Sequence, residues 1–345
     1  MTLLSEIYEQ PQRLEKLILD QYPIIKKIAQ EINKRDISMV LLAARGTSAN
    51  ACRYANYLFG NRNQLPVALA APSLYTNYQT PPKIKNTLVI GISQSGQSPD
   101  IVSVLKDAKK QNCLSLAITN HPDSPLGQAA DFVLDLQTGP ERAVAATKTY
   151  TAELMVLALL STALKDDALP RSELELIPGW VEQVLKLDDY IANADKRYRY
   201  MQHCVVLGRG YNYSTAHEWA LKMKELTYVG AEAYSSADFM HGPIAIIHGG
   251  FPVMAVMPHG KAYATMLETT TRLKNHLKAE MIIISNSKEA LEMAEIPIEI
   301  PDQIPEWLSP IPSIVAGQLF SYHLTQIKGN DPENPRTIAK VTETH

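Results

Sequence analysis

The chain has 345 residues, enough for two ordinary domains or a single large one, and its 46% apolar and 20% charged fractions are those of a soluble globular protein. A formal net charge of −3 with scattered charges argues against a nucleic-acid footprint. Cys52, Cys113 and Cys204 are far apart, odd in number and without zinc spacing, so they read as reduced interior cysteines of a cytosolic protein.

Met1–Glu6 lacks the basic start and long apolar run of a signal peptide. Residues 3–35 read as helical. Leu3, Ile7, Leu14, Leu17, Ile18, Ile24, Ile25 and Ile28 recur at roughly helical spacing, with Pro11 and Pro23 as breaks. Residues 36–170 form a first domain, opening on the apolar run Val40–Gly46 that leads into Thr47 and Ser48. Thr87–Ile92 reads as a buried parallel strand, followed at once by Ser93, Gln94, Ser95, Gly96, Gln97 and Ser98, with a helix starting near Pro99. That turn offers three hydroxyls, an amide side chain and unpaired backbone N–H groups at the positive end of a helix dipole, a combination that suits an anion. It contains no Lys and no G-x-x-x-x-G-K-[ST] pattern, so a phosphate monoester fits it better than a nucleotide with Mg²⁺. Taken alone, the segment is equally an ordinary serine-rich turn capping a helix. The most apolar window, Leu154–Leu164, is too short to span a bilayer.

The chain then repeats itself. A shift of 164 positions lays Val40–Gly46 on Cys204–Gly210, Val67–Ala71 on Ala231–Ser235, Leu88–Ile92 on Pro252–Val256 and Phe132–Leu136 on Ile296–Ile300. Ile118–Asn120 matches Ile284–Asn286 with a slip of two residues. Each half carries five strand-like runs, mostly separated by stretches long enough for a crossover helix. This pattern predicts a duplicated α/β protein with two doubly wound parallel sheets. Ligands of such sheets bind beyond the carboxyl ends of the strands, where strand order reverses. In the first half the loops meeting there are 45–48 and 93–98. In the second half the counterpart of Ser93–Gly96 is Met257–Gly260, which has no hydroxyl and has lost a donor to Pro258. Only the first half is expected to keep a phosphate cradle. Residues 171–200 read as a helical connector, residues 201–328 as the second domain, and the polar, proline-punctuated tail 329–345 by composition as a disordered end.

Six motifs occur in one order: Arg45–Ser48, Ser93–Ser98, Ala143–Thr149, Leu221–Leu226, Ala237–Pro243 and Asn334–Lys340. Together they resemble the sugar isomerase (SIS) domain family over nearly the whole chain. The likeness is to the isomerase half of glucosamine-6-phosphate synthases and to the stand-alone SIS-type deaminases. It implies two tandem SIS domains, each with a five-stranded parallel sheet. It implies that Thr47, Ser48, Ser93, Gln94, Ser95 and Ser98 hold a sugar phosphate, and that Val144 and Ala339 meet the sugar hydroxyls. It makes Glu225 the base between C1 and C2, with Lys222 on the same helix face. It gives His241 a part in ring opening, from the neighbouring subunit of a homodimer, and has Lys340 close over the substrate from the tail. At Ala146 the synthases usually carry serine. Without the resemblance, Lys222 and Glu225 read as a solvated helix pair, Glu218 is a competing carboxylate, His241 is a turn histidine, and Lys340 belongs to a loose tail.

These groups suit aldose–ketose chemistry, which needs a base near C1 and C2, an acid–base group at the ring oxygen, and stabilisation of the enediol charge. No cofactor is expected, and no metal, because no His/Cys/Asp/Glu cluster has ligand spacing. The synthases use a separate glutaminase domain with an N-terminal cysteine. This chain begins Met1-Thr2 and its first cysteine is Cys52, so the expectation is an ammonia half-reaction without glutamine. The leading expectation is a cytoplasmic glucosamine-6-phosphate deaminase acting on a phosphorylated amino sugar or ketose, with no nucleic-acid or membrane partner. The alternatives are another sugar-phosphate isomerase, a fructosamine-6-phosphate deglycase, or a non-catalytic sugar-phosphate sensor.

Overall fold

A computed structural model of the chain describes residues 2–165 and 169–340. It opens with helices α1 (Leu3–Tyr8) and α2 (Gln10–Asn33). There follow β1 (Met39–Ala43), α3 (Gly46–Arg62), β2 (Val67–Leu69), α4 (Ser73–Thr76), β3 (Thr87–Ile92), α5 (Pro99–Lys110), β4 (Leu114–Thr119), α6 (Pro125–Ala129) and β5 (Phe132–Asp135). Four helices come next: α7 (Lys148–Lys165), α8 (Leu169–Leu174), α9 (Ile177–Leu185) and α10 (Asp188–Ala194). The second half runs β6 (His203–Gly208), α11 (Tyr213–Lys222), β7 (Gly230–Ser235), α12 (Ser236–Phe239), β8 (Pro252–Val256), α13 (Tyr263–Asn275), β9 (Glu280–Ser285), α14 (Lys288–Glu292), β10 (Ile296–Glu299) and α15 (Pro310–Ile327).

The described residues form two compact units. One holds 12–141, 148–165, 169–175 and 339–340, and the other 2–11, 142–147 and 176–338. The N-terminal helical segment is therefore divided, α1 going with the second sheet and α2 with the first.

Each unit is built on a five-stranded, all-parallel sheet. The strand orders are β2-β1-β3-β4-β5 and β10-β9-β8-β6-β7, which are the same topology read from opposite edges. In the first sheet the even and odd faces of β1 are both buried, Val40 and Leu42 on one side and Leu41 and Ala43 on the other. This is why the strands read as continuous apolar runs and not as alternating ones. Leu41, Val89 and Ala117 pack with Ile101, Leu105 and Leu126 from α5 and α6. The equivalent core of the second sheet joins Val205, Val253 and Ile283 to Phe239, Met266 and Leu273. On its other side α11 packs on α15, where Trp219 meets Phe320 edge-on with ring centroids 5.5 Å apart.

One local expectation changes. Pro23 does not break the first long helix, because α2 runs through it for 24 residues. The lost hydrogen bond is outweighed by the stripe of Leu14, Leu17, Ile25, Ile28 and Ile32, all buried along that helix. The apolar run Leu154–Leu164 lies within α7, whose residues are almost all buried. No described helix is long and apolar enough to cross a membrane.

Candidate functional site

The site begins with a consequence of strand order. β1 pairs with β3 in parallel from Met39↔Thr87 to Ala43↔Gly91, while β2 lies outside β1 and β4 outside β3. The order reverses between β1 and β3, so the loops leaving them start side by side at one end of the sheet. A half-buried ion pair ties those loops together: the partly exposed Arg45 donates through Nε to Asp100 Oδ2 at 2.7 Å. Asp100 sits in the first turn of α5 and is sealed from solvent.

Within the 93–98 turn, the Ser93 hydroxyl accepts the Gly96 N–H at 3.2 Å and lies 3.4 Å from the Ser98 hydroxyl. The Ser95 hydroxyl accepts the Gln97 N–H at 3.3 Å. A hydroxyl that accepts a backbone N–H keeps its own proton to give, which is the polarity an anion requires. Ser98 is the N-cap residue of α5, yet its side chain makes no capping bond. The Gln94 carbonyl accepts Asn120 N at 3.1 Å, pinning the turn to the end of β4. Gly96 has φ +63, and a Cβ there would fall 1.9 Å from Ser124 Oγ, so glycine is required on two counts. In the other loop Gly46 has φ +53 and opens α3, placing Thr47 and Ser48 in its first turn. Ser48 Oγ donates to the buried Glu153 carboxylate at 2.7 Å, so in this arrangement its proton is committed to that carboxylate.

The matching loop of the second half is already filled. Glu306 accepts the N–H groups of Lys261 and Ala262 at 2.8 and 3.0 Å, where α13 begins. A Cβ on Gly260 would lie 2.3 Å from the Glu306 carboxyl carbon. The second half thus meets the N–H groups before α13 with a carboxylate from a distant loop, whereas at α5 the carboxylate is that of Asp100 in its own first turn, which accepts Ile101 N at 2.9 Å.

The titratable cluster lies on α11 and the single π-helical turn after it, Met223–Thr227. Lys222 Nζ is 2.5 Å from Glu225 Oε2 and 3.3 Å from Glu218 Oε1. This is not the solvated pair that the spacing suggests, since the side chains of Lys222 and Glu218 are 1% and 0% exposed. Burial pulls the Lys222 ammonium towards deprotonation, but the two carboxylates outweigh it and hold its pKa above the usual lysine value. Lys222 is therefore a fixed cation. Of its two carboxylates, Glu225 remains 24% exposed, so only Glu225 is open to a ligand.

The other candidates divide. His241 follows α12 in an exposed turn where its N–H donates to Asp238 O at 3.1 Å. Its ring makes no hydrogen bond or ion pair with Lys222 or Glu225. Val144 is half-buried in the loop 142–147, Ala339 is exposed, and Lys340 Nζ lies 2.7 Å from Glu141 Oε2. Composition predicts a disordered tail, yet residues 329–340 follow a defined path. Both Glu333 oxygens accept Leu3 N, at 2.9 and 3.0 Å, and the Arg336 guanidinium lies 4.0 Å over the Tyr228 ring. Residues 341–345 lie outside the described residues.

Sequence reasoning missed the carboxylates that hold these loops. Glu6, fully buried in α1, accepts Arg142 N at 2.5 Å and Ala143 N at 3.3 Å, gripping the loop that carries Val144. Gln318 of α15 donates to Thr147 O at 3.2 Å and accepts from Gln10 at 2.8 Å. Buried Glu141 accepts Thr149 N at 3.1 Å and Thr149 Oγ1 at 2.8 Å, besides Lys340. The available signal was position: Glu6 and Gln10 are polar residues on the helical face of Leu3, Ile7 and Leu14.

Comparison with known proteins agrees with this architecture. The SIS domain family matches residues 35–163 and 199–327, giving two SIS domains in tandem. The glutamine–fructose-6-phosphate aminotransferase (isomerizing) of Thermococcus kodakarensis is 35% identical over 98% of the chain. The chain spans 57% of that relative's length. The C-terminal domain of the glucosamine-fructose-6-phosphate aminotransferase from Francisella tularensis superposes with a TM-score of 0.87 at 30% identity, covering 96% of this chain and 97% of that one. A glucosamine-6-phosphate deaminase from Thermotoga maritima shares the fold, with a TM-score of 0.77 at 21% identity over the full length of both chains.

Two substitutions test this geometry. Gly96→Ala is expected to lose about 1–3 kcal/mol in urea denaturation, from left-handed strain and the Ser124 clash together. A variant as stable as the parent would show that the turn is not fixed as described. Lys222→Met removes the cation beside the sealed Glu218 carboxylate and is expected to cost about 3–5 kcal/mol. Adding Glu218→Gln should recover part of that loss, and purely additive losses would mean the pair is not coupled.

Proposed function

The chain is a member of the SIS domain family, and we propose that it is a sugar-phosphate isomerase acting as a glucosamine-6-phosphate deaminase. The observation that carries the reading is the contrast between two carboxylates on one lysine. Glu218 is sealed, while Glu225 is partly exposed and hydrogen-bonded at 2.5 Å to a buried cation. A helix pair kept only for solubility has no need of a buried ammonium, whereas an acid–base group gains a fixed orientation from one. The open turn 93–98 supplies the second requirement, a place for a phosphate remote from the reacting carbons. Its binding energy serves orientation.

In this reading Ser93, Gln94, Ser95 and Ser98 hold the phosphate with Thr47 and Ser48. Ser48 contributes through its backbone N–H while its hydroxyl is given to Glu153. His241, supplied by the partner in a homodimer, moves the proton at the ring oxygen as the sugar opens. Glu225 takes the proton from C2 of the open-chain amino aldose and returns it to C1. The aldehyde becomes an alcohol and the amine-bearing carbon becomes an imine. Water then adds at C2 and ammonia leaves, giving fructose 6-phosphate. Lys340 brings positive charge to the enolate oxygen from the tail, and the backbone at Val144 and Ala339 meets the hydroxyls.

An ammonia-release assay across glucosamine 6-phosphate, its epimers and fructosamine 6-phosphate tests the substrate. Release from glucosamine 6-phosphate with formation of fructose 6-phosphate is the expected result. Release only from a fructosamine phosphate would make the chain a deglycase, and binding without turnover would make it a sensor. Glu225→Gln should fold and bind fructose 6-phosphate like the parent but lose about 10²–10⁴-fold in kcat. Near-native turnover would remove Glu225 from the role. Replacing Ser93 and Ser95 together by Ala should weaken inorganic phosphate and fructose 6-phosphate alike by at least about tenfold, since each charged hydrogen bond is worth about 1.5–3 kcal/mol. Unchanged affinity in calorimetry would move the phosphate elsewhere.

A further inference from the structure

The turn that carries Glu225 ends in an unusual way. Tyr228 closes the π-helical turn with φ +59 and ψ 21, a left-handed conformation that a bulky side chain adopts only when its surroundings hold it there. From that conformation its side chain meets the C-terminal tail. The Tyr228 hydroxyl accepts the Arg336 N–H at 2.9 Å, and the Arg336 guanidinium lies over the same ring, 4.0 Å from its centre. One side chain thus meets the tail twice, through its edge and through its face. Upstream the tail is fixed by buried Pro332 and Pro335 and by Glu333 on the first N–H of α1. Downstream, Thr337, Ile338 and Ala339 are exposed, and Thr337 itself has φ +65. Arg336 is where the tail is last gripped before that exposed stretch, and the grip belongs to a residue three positions after Glu225.

We propose that Tyr228 is a positioning residue: it locks the tail at Arg336 to the turn bearing Glu225, so that base and tail are set by one backbone conformation. The kinetic half of this inference rests on the isomerase reading, and the structural half does not. Tyr228 touches no reacting atom in this scheme. It acts through Arg336 on the direction in which residues 337–340 leave, and through its own backbone on the turn of Glu225.

The test compares Tyr228→Phe and Tyr228→Gly with the parent. Phenylalanine keeps the face contact and loses the hydroxyl. Glycine suits the left-handed backbone and loses both contacts, so neither change threatens the fold, and unchanged melting temperatures confirm this. Trypsin cleavage after Arg336, followed by intact mass, is expected to speed up about tenfold in Tyr228→Gly and by less in Tyr228→Phe, the ratio expected for losing one hydrogen bond and one cation–π contact. In the same order kcat should fall about tenfold and about threefold, with affinity for inorganic phosphate unchanged. Cleavage at the parental rate in both variants overturns the lock. Faster cleavage with unchanged kcat overturns the positioning role. The proteolysis needs no substrate, so a parent protein without turnover would remove the isomerase reading and leave the lock to be decided by cleavage alone.

Discussion

Parallel strands buried on both faces deliver their loops to one end of the sheet, and where the order of strands reverses, two adjacent loops lead to opposite faces and leave a crevice between them. In the first unit this happens between β1 and β3, where the candidate cradle lies. The chain needs no large side chain to fill that gap. It uses Gly46 and Gly96 in left-handed conformations to turn sharply, hydroxyls that accept backbone N–H groups, and the Arg45–Asp100 pair to keep the two loops in register. Charge in the cradle is correspondingly small. Arg45 is neutralised by its partner, so an anion would be met by oriented dipoles of the α5 terminus and by hydroxyl protons. Such groups are fixed before the ligand arrives and need no rearrangement.

Duplication then allows the two halves to diverge under one topology. The second sheet has the same switch between β6 and β8, at the same end, with a helix beginning after β8. There the orphan N–H groups meet Glu306, an anion supplied by the chain itself. The comparison explains why loss of hydroxyls at Met257–Gly260 is tolerated: a helix terminus needs an acceptor, and an internal carboxylate serves as well as a bound one. That half also carries the titratable cluster of Glu218, Lys222 and Glu225. The π-helical turn at Met223–Thr227 widens the helix where Glu225 and Lys222 meet, a local irregularity of the sort found at functional positions.

Much of this was legible in the sequence because it is local. Buried parallel strands announce themselves as apolar runs, so the ten strands among the described residues fall on or beside the runs read from the repeat, and the start of α5 at Pro99 follows from its N1 preference. The open turn was legible as a motif and through its drifted twin. What was not legible depends on partners distant along the chain. Pro23 sits inside α2 because a long apolar stripe outweighs one lost hydrogen bond. The burial of Lys222 cannot be read from its i+3 and i−4 neighbours, which look the same on a solvated face. Glu6 grips residues 136 positions later and Glu141 grips Lys340 across 199, distances over which spacing carries no signal. The tail reads as loose because its composition is polar, yet its anchors are a helix N-terminus, a tyrosine ring and a buried carboxylate. Only Pro332 and Pro335 add apolar burial to these, and prolines in a polar stretch read as breaks.

The buried carboxylates also account for how irregular segments can lie at the heart of the units. A loop such as 142–147 has no ladder to satisfy its N–H groups, and a buried unpaired donor costs about 1–3 kcal/mol. Glu6 answers two such donors in succession, and Gln318 answers a carbonyl at the other end of the same loop. Glu141 does the same for the first turn of α7 and has enough acceptor capacity left for Lys340. Each carboxylate replaces a missing strand partner with charge-assisted bonds, which are shorter and about twice as strong as neutral ones. These loops are therefore held by a few long-range side-chain anchors and not along a sheet edge.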